Sequence, residues 1–365
     1  MRRMPAEWEP HDATWLAWPH HADDWPGKLD AVHWVYAEIV RVLHGQERVE
    51  ILCNDAVVKD AARRALAAHG VDSSGYRLHT VPTDRAWLRD SAPTGTILDD
   101  GSIELVNWRF NGWAKYDNYA NDACVGTAVE RITRLRRVDA ERPDGVGSLV
   151  LEGGAIDTDG AGTLVTTEEC LLSPVQQRNP GLGRGGYERA FAEYLGVSRT
   201  IWLGNGCAGD DTHGHVDDIA RFVARDTILL AYEDDPADAN HASSVDNLRR
   251  LELATHAGGA SHAPVALRVI RLPYPRPVEM SGTRLPASYA NFYIGNGVVV
   301  VPTFNDPADR VALTILAELF PGRTVVGIHA VDLVWGLGAL HCLTQQQPAA
   351  VDGRGGREGW GGDRR

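Results

Sequence analysis

Cys342 stands in sequence surroundings that are too polar for an ordinary core thiol. Apolar residues precede it, His341 is its immediate neighbour, and three glutamines follow at 345–347. A cysteine attacks as the thiolate, which needs positive charge or hydrogen-bond donors at neutral pH, and a wet, polar strand end could supply them. Most buried cysteines are structural. Cys342 is therefore a candidate nucleophile only if the sequence also supplies acid and base groups.

The densest polar segment, residues 209–222, offers such groups. If residues 215–222 are a strand, His215 and Asp217 share one face, because side chains alternate along a strand. The pair could act as a general base and a carboxylate that binds a cation. A metal site built from Asp211, His213, His215 and Asp217 is the alternative, although no second cluster with ligand spacing accompanies it. A solvated turn rich in Asp and Gly would need neither role.

Two further carboxylates could face a ligand. Glu152 ends the apolar run 148–151 and precedes two glycines, where backbone can approach a ligand closely. Asp90 follows Arg89. Taken singly, Glu152 would be the end of an ordinary strand. Asp90 would form a surface ion pair with Arg89, which adds little to stability.

Aromatic residues accompany the second carboxylate. Trp87 precedes Asp90 and could give a site an apolar wall, and Trp113 belongs to the aromatic segment 108–116. Aromatic faces attract cations, and a planar guanidinium stacks well on tryptophan. Aromatic clusters are also common in cores, so this pattern alone leaves both interpretations open.

The other cysteines are weaker candidates. Cys207 lies eight residues before His215, in a Gly-rich loop that predicts no fixed partner for its thiol. Cys53 and Cys170 lie in apolar runs and are predicted to be core residues, and Cys124 has no distinguishing neighbour. Five cysteines without paired spacing indicate a reducing compartment.

Composition narrows the class of partner. The formal net charge of -13 disfavours nucleic acid and anionic membranes and favours a cationic small molecule. No apolar run is long enough to span a bilayer, and the first residues do not resemble a signal peptide. We therefore expect a cytoplasmic protein.

Alternating helices and strands must position these residues. Units of the ββα type of roughly 70 residues would fill the chain, which favours radial repetition over a purely parallel sheet. We predict a single domain over residues 1–351 and a disordered Gly/Arg-rich tail over 352–365. Helical spacing or strand-like runs predict helices at 28–45 and 55–69, strands at 49–53 and 77–81, and a hairpin of 93–99 with 102–108.

Together these segments resemble the agmatine deiminase branch of the guanidine-modifying enzymes, a superfamily that includes arginine deiminases, peptidyl-arginine deiminases and amidinotransferases. The resemblance extends over about residues 5–348. Each motif is weak alone, but their order is specific. The motifs are residues 4–10, Trp87-Leu88-Arg89-Asp90, residues 108–113, Glu152-Gly153-Gly154, residues 209–217, Asn291-Phe292-Tyr293 and residues 341–346.

The resemblance implies a fold and a set of residue roles. The implied fold is a five-bladed, pseudo-symmetric α/β propeller of ββαβ units around a central active site. His215 rather than His213 meets the family's His-x-Asp pattern. The implied catalytic residues are the nucleophile Cys342, the acid/base His215 and the guanidinium-binding carboxylates Asp90, Glu152 and Asp217. Trp87, Trp113 and Asp211 are expected to contact substrate.

The implied activity is hydrolysis of agmatine to N-carbamoylputrescine and ammonia through a covalent thiouronium, without a metal or organic cofactor. Ala339 stands where the family has a glycine-rich stretch, which leaves another guanidine, peptidyl or free arginine, as the runner-up substrate. A metal-dependent hydrolase and a non-catalytic binder of cations are further alternatives. The sequence does not say where Arg89, Arg109 and Arg178 point. Homo-oligomers are expected by resemblance only, and on a strand His341 would point away from Cys342.

Overall fold

The computed structural model describes residues 2–256 and 267–351. The predicted tail, 352–365, lies outside the described residues. The strands are β1 (Arg2–Arg3), β2 (His11–Ala17), β3 (Arg48–Cys53), β4 (Tyr76–Thr80), β5 (Thr94–Leu98), β6 (Ile103–Asn107), β7 (Arg136–Asp139), β8 (Asp157–Thr158), β9 (Thr163–Thr167), β10 (Arg199–Leu203), β11 (Ala220–Ala224), β12 (Thr227–Tyr232), β13 (Arg268–Pro273), β14 (Glu279–Met280), β15 (Thr283–Arg284), β16 (Tyr293–Ile294), β17 (Val298–Thr303), β18 (Thr324–His329) and β19 (Gln345–Pro348).

The helices separate these strands in the order that the sequence predicts. They are α1 (Leu29–Leu43), α2 (Ala56–Ala68), α3 (Leu88–Ser91), α4 (Val125–Thr133), α5 (Glu168–Leu172), α6 (Arg184–Leu195), α7 (His241–His256), α8 (Pro307–Leu319), α9 (Val331–Val334) and α10 (Leu340–Leu343). Short 3-10 turns occur at Ala22–Asp24, Gly112–Ala114, Asp122–Cys124, Gly153–Ala155 and Val216–Asp218.

One unit recurs along the chain: an antiparallel strand pair, a helix, and a strand parallel to the second of the pair. The sheets β5-β6-β7, β8-β9-β10, β11-β12-β13 and β16-β17-β18 all follow this pattern. The predicted hairpin is confirmed, since β5 and β6 pair antiparallel and Gly101 has a φ of +83° in their turn. The prediction of a mixed α/β fold is therefore confirmed.

The fifth sheet, β19-β2-β3-β4, joins the two ends of the described chain. The predicted helices and strands of the first 80 residues are confirmed as α1, α2, β3 and β4, and the Asp55 side chain caps α2 by accepting from the Val58 N–H at 2.8 Å. Strand β19 pairs antiparallel with β2. Because β19 follows α10 directly, this pairing fixes the segment that carries Cys342.

Local predictions fail at three short segments that carry polar residues. Val216–Asp218 is a 3-10 turn, and the strand starts only at Ala220. Residues 148–151 make isolated bridges rather than a strand. Leu340–Leu343 is a helical turn. At residues 148–151 and 340–343, hydrogen bonds to distant parts of the chain set the backbone, and local periodicity does not reveal these contacts.

No helix among residues 2–256 and 267–351 is long and apolar enough to cross a bilayer.

Candidate active site

Cys342 lies in a buried helical turn and not, as predicted, at a wet strand end. The residue is 6 % exposed. The side chain of Asn291, which is itself fully buried, donates from Nδ2 to the Cys342 Sγ at 3.0 Å. Its Oδ1 accepts from the backbone N–H of His341 at 2.9 Å and of Cys342 at 3.3 Å. One amide thus holds both the turn and the thiol.

The electrostatic environment of this thiol is the opposite of the one expected. Burial raises the pKa of Cys342 well above its ordinary value, and the charges of Asp217, Asp218 and Asp90 raise it further. The Cys342 Sγ is 3.7 Å from Asp217 Oδ2. The free protein therefore holds a neutral thiol at neutral pH, and a cation bound beside it would favour the thiolate.

Asp90 is held in a fixed orientation by two donors. It lies in the short helix α3, and its Oδ1 accepts from the Gly154 N–H at 3.1 Å while its Oδ2 accepts from the Trp113 indole Nε1 at 2.9 Å. Burial raises the pKa of Asp90 to about 6; His215 opposes this shift, and the charges of Asp217 and Glu152 add to it. Asp90 and Trp113, which were separate sequence candidates, form one unit.

His215 lies between two of the predicted carboxylates. Its Nδ1 is 3.8 Å from Asp90 Oδ1 and its Nε2 is 3.6 Å from Glu152 Oε2. Burial alone would lower the pKa of His215, but the charge of Asp90 and contacts with Cys170 and Glu152 raise it well above its ordinary value. The Glu152 carboxylate also pairs with Arg178 at 3.1 Å, and although burial raises its pKa, Arg178 lowers the pKa of Glu152 to about 2.

Asp217 is oriented by His341, so the prediction that His341 points away is wrong. His341 Nδ1 is 2.7 Å from Asp217 Oδ2, and its Nε2 is 2.8 Å from Glu7 Oε2. Although burial raises the pKa of each carboxyl, His341 lowers the pKa of Asp217, and Arg221 and His341 lower that of Glu7. The His341 ring thus bridges the carboxylates of Asp217 and Glu7.

The second Asp217 oxygen, unlike the one held by His341, is left without a partner in the described part of the chain. Asp217 Oδ1 is buried and accepts no hydrogen bond from the described residues. Since His341 holds Oδ2, the carboxylate presents Oδ1 to any donor that enters the site. A buried acceptor left without a donor is costly, and a bound guanidinium would supply that donor.

Gly154 permits these groups to approach one another. A Cβ added at this position would lie 2.5 Å from His215 Nδ1, 3.0 Å from Asp90 Oδ1 and 3.1 Å from Asp217 Oδ2. Only a residue without a side chain fits there. Gly154 therefore serves a close approach of three side chains, whereas the expected approach of a ligand to this backbone stays a prediction.

A cavity of about 400 Å³ leads to this cluster. Five of the eight predicted site residues line it, whereas the other three, Glu152, His215 and Asp217, are buried outside its lining. The lining residues among the eight are Cys342, Asp90, Trp87, Trp113 and Asp211. Asp211 is already engaged, because it pairs with Lys115 and accepts from the Tyr116 hydroxyl at 2.6 Å.

The three arginines left open by the sequence do not line the cavity. Arg89 is buried and pairs with Glu7 at 3.2 Å, not with its neighbour Asp90. Arg178 pairs with Glu152, and Arg109 is exposed. None of the three is placed to bind a substrate carboxylate in this cavity.

Three residues of the site were missed by local sequence reasoning. Asn291 gave a signal, a polar residue between the apolar Ala290 and Phe292, but no role followed from it. Glu7 lies far away in the chain and pairs at 2.8 Å with Arg221 as well as contacting His341. Cys170 is a core residue, as predicted, but its sulfur is also within 4.8 Å of ligand atoms of Glu152 and His215.

The metal site suggested by the sequence is not assembled. His213 instead contacts the Ser173 hydroxyl at 3.0 Å, while Asp211 contacts Tyr116. Within the described ranges, the groups of potential ligands that converge within 4.8 Å are Glu152 with Cys170 and His215, and Asp217 with Asp218 and Cys342. The rival nucleophile Cys207 is buried and does not line the cavity, and burial raises its thiol pKa.

The sequence matches, over residues 3–348, the family described as Porphyromonas-type peptidyl-arginine deiminase. The chain belongs to this family. Among its relatives, the agmatine deiminase of Pseudomonas aeruginosa (strain LESB58) is 36 % identical over 370 residues, which cover 95 % of each chain. The agmatine deiminase of Stutzerimonas stutzeri (strain A1501) is 37 % identical over 366 residues, again 95 % of each.

Solved structures of family members have the same fold. The agmatine deiminase of Enterococcus faecalis, described as catalysing its reaction, superposes with a TM-score of 0.85 at 30 % identity and covers 96 % of both chains. A serine-substituted agmatine deiminase of C. jejuni with substrate bound gives a TM-score of 0.83 at 25 % identity, covering 96 % of this chain and 97 % of that one. The family resemblance drawn from the motifs is therefore confirmed.

Proposed function

We propose that this protein is a cysteine-dependent deiminase that hydrolyses agmatine to N-carbamoylputrescine and ammonia. The observation that carries the proposal is that Cys342 and Asp90 line one cavity, with His215 3.8 Å from Asp90. A nucleophile, an acid/base group and a carboxylate cluster are the parts that the reaction needs. Relatives at 36–37 % identity are named agmatine deiminase.

The proposed reaction begins with binding of the guanidinium. Asp90, Glu152 and Asp217 accept its N–H donors and fix its plane, because carboxylates form directional, charge-assisted hydrogen bonds with guanidinium groups. The bound positive charge lowers the pKa of Cys342, and the thiol releases its proton to water. Substrate binding thereby activates a nucleophile that is inert in the free protein.

Covalent chemistry follows in two halves. The Cys342 thiolate attacks the guanidino carbon and forms a C–S bond. His215, whose pKa is raised, donates a proton to one nitrogen, the C–N bond breaks, and ammonia leaves a thiouronium on the sulfur. His215 then removes a proton from water, which attacks the same carbon, and the C–S bond breaks. One water is consumed and one ammonia is released per ureido product.

A substrate panel tests the proposal. Ammonia release is measured with agmatine, free arginine and a blocked arginyl peptide under identical conditions. We expect the highest kcat/KM with agmatine. Equal or greater kcat/KM with arginine or the peptide would instead support the runner-up function, deimination of another guanidine.

Activity should decline in acid because Asp90 loses its charge. The pKa of Asp90 is raised to about 6, so Asp90 is ionised above this pH and protonated below it. We expect kcat/KM for agmatine to fall about tenfold per pH unit below about 6, since kcat/KM reports the free enzyme. A pH profile from 5 to 8 measures this, and a constant kcat/KM down to pH 5 would contradict the role of Asp90.

His341→Gln should weaken substrate binding through Asp217. Glutamine has a single amide nitrogen as donor, so it cannot hold both Asp217 and Glu7 as the two ring nitrogens do. We expect KM for agmatine to rise roughly tenfold, the scale of a lost charge-assisted contact. The exposed His329→Gln serves as the matched control. A variant that loses only thermal stability, with KM unchanged, would show that His341 has no positioning role.

The five-bladed propeller expected from the family resemblance concerns the arrangement of the sheets. We propose that the five sheets of three or four strands are the blades of a pseudo-symmetric propeller around the site. Four sheets with the same strand–helix–strand unit support this, and the fifth, which joins both ends of the described chain, would close the ring. A single catalytic domain over 1–351, cytoplasmic location, homo-oligomers and the lack of nucleic-acid or membrane partners remain predictions.

A further inference from the structure

The cavity that leads to Cys342 is lined by more carboxylate side chains than the proposed reaction uses. Its lining contains four carboxylates and a single cationic side chain, that of Arg85. Asp90 belongs to the guanidinium cluster, Asp211 is engaged by Lys115 and Tyr116, and Asp23 is exposed to solvent. The fourth, Asp24, has no part in the reaction described above.

Asp24 is buried and only half satisfied. Its side chain is 2 % exposed, Oδ1 accepts from Arg85 Nη1, and Oδ2 has no hydrogen-bond partner among the described residues. Burial raises the pKa of Asp24, and Arg85 offsets this only in part. A buried carboxylate oxygen without a donor is unfavourable, and a second cation would stabilise it.

Arg85 is held in a fixed position from several sides. Its guanidinium carbon lies 4.3 Å from the centre of the Tyr116 ring, Nη1 contacts Asp24, and Nη2 donates to Asn118 Oδ1 at 3.3 Å. Because Asp24 neutralises its charge, this arginine does not offer a free positive group to a carboxylate in the cavity.

Asp24 and Cys342 belong to one continuous wall. Trp25, the neighbour of Asp24, packs against Trp87 with ring centroids 5.2 Å apart. A Cβ on Gly338 would lie 2.7 Å from the Trp87 ring and 3.2 Å from the Cys342 Cβ. Trp87 lines the cavity and rests on the fully buried Trp25, so the cavity has an apolar side between the nucleophile and the half-satisfied carboxylate. This suits a ligand with an apolar chain between two cationic ends.

We propose that Asp24 binds the primary ammonium group of agmatine, and that by holding Arg85 it denies arginine a partner for its α-carboxylate. This inference rests on the proposed function, because it assigns the far end of the same substrate. The ammonium would donate to Asp24 Oδ2, while the guanidinium lies at the carboxylates beside Cys342. Trp87 would cover the four methylene groups between them.

The test compares three guanidines in the wild-type protein and in Asp24→Asn. Agmatine carries the ammonium, n-pentylguanidine replaces it with a methyl group, and arginine adds a carboxylate. We expect wild-type kcat/KM to be roughly 10- to 100-fold higher for agmatine than for n-pentylguanidine, the range of a buried charge-assisted hydrogen bond. Asp24→Asn should remove that preference, leave n-pentylguanidine within about threefold, and reduce the ratio of agmatine to arginine.

The exposed Asp30→Asn makes the same change of charge nearby and should leave all three values unchanged. An Asp24→Asn variant that loses activity equally on all three guanidines would overturn the assignment, as would a wild-type protein without preference for agmatine over n-pentylguanidine. The wild-type comparison holds even if the variant does not fold. Absence of ammonia release from every guanidine would instead overturn the proposed function itself.

Discussion

Cys342→Ser is expected to abolish ammonia release from agmatine while agmatine still binds. Serine keeps the shape of the side chain, so the carboxylates of Asp90, Glu152 and Asp217 retain their positions. Its hydroxyl is far less acidic than a thiol, and a single bound cation does not ionise it. We expect kcat to fall by at least about 10⁴-fold, the scale for loss of a covalent nucleophile.

Binding and turnover are measured separately in this experiment. Isothermal titration reports the affinity for agmatine, and a coupled ammonia assay reports kcat. Cys207→Ser is the matched control, because Cys207 is also buried but does not line the cavity. Full activity of Cys342→Ser, or loss of activity in the control alone, would contradict the assignment of the nucleophile.

Gly154→Ala should inactivate the protein without unfolding it. The new methyl group would lie 2.5 Å from His215 Nδ1 and close to Asp90 and Asp217. The His215 ring is fully buried and has little room to move aside. Since a displacement of about 1 Å at a reacting group costs about 100-fold in rate, we expect kcat to fall at least that much.

A second glycine-to-alanine substitution, at Gly185, is the control. Gly185, in helix α6, is exposed, and the nearest atom to an added Cβ is the Arg189 side chain at 3.8 Å. Gly185→Ala should therefore leave kcat unchanged. Both variants should unfold cooperatively, Gly185→Ala near the wild-type midpoint and Gly154→Ala somewhat below it, because the methyl group overpacks a buried site. An active Gly154→Ala would show that the three groups need not approach so closely.

The elements with strong periodicity were predictable from the sequence. Helices α1 and α2 and the β5–β6 hairpin have regular apolar spacing or a turn glycine, so their formation depends on nearby residues. The residues of the site were predicted as a set by motif order, because the resemblance assigned a role to each position. Their mutual distances were not predictable, since five segments of the chain contribute to the cluster.

The segment around Cys342 shows why the local predictions for the site failed. The sequence predicts a polar strand end there, but Asn291, fifty residues earlier, binds two backbone N–H groups and holds a helical turn. That turn directs His341 toward Asp217 rather than away from the site. The acidity of the thiol was not predictable for a related reason, because the pKa of Cys342 depends on burial by the whole fold and on three distant carboxylates.

Mass spectrometry of protein quenched with acid during turnover of agmatine tests the central claim most directly. The account predicts a covalent adduct with the mass of agmatine less ammonia, located on the peptide that contains Cys342 and absent from Cys342→Ser. Continued turnover with no adduct on any cysteine would contradict covalent catalysis. An adduct on Cys207 would contradict the site.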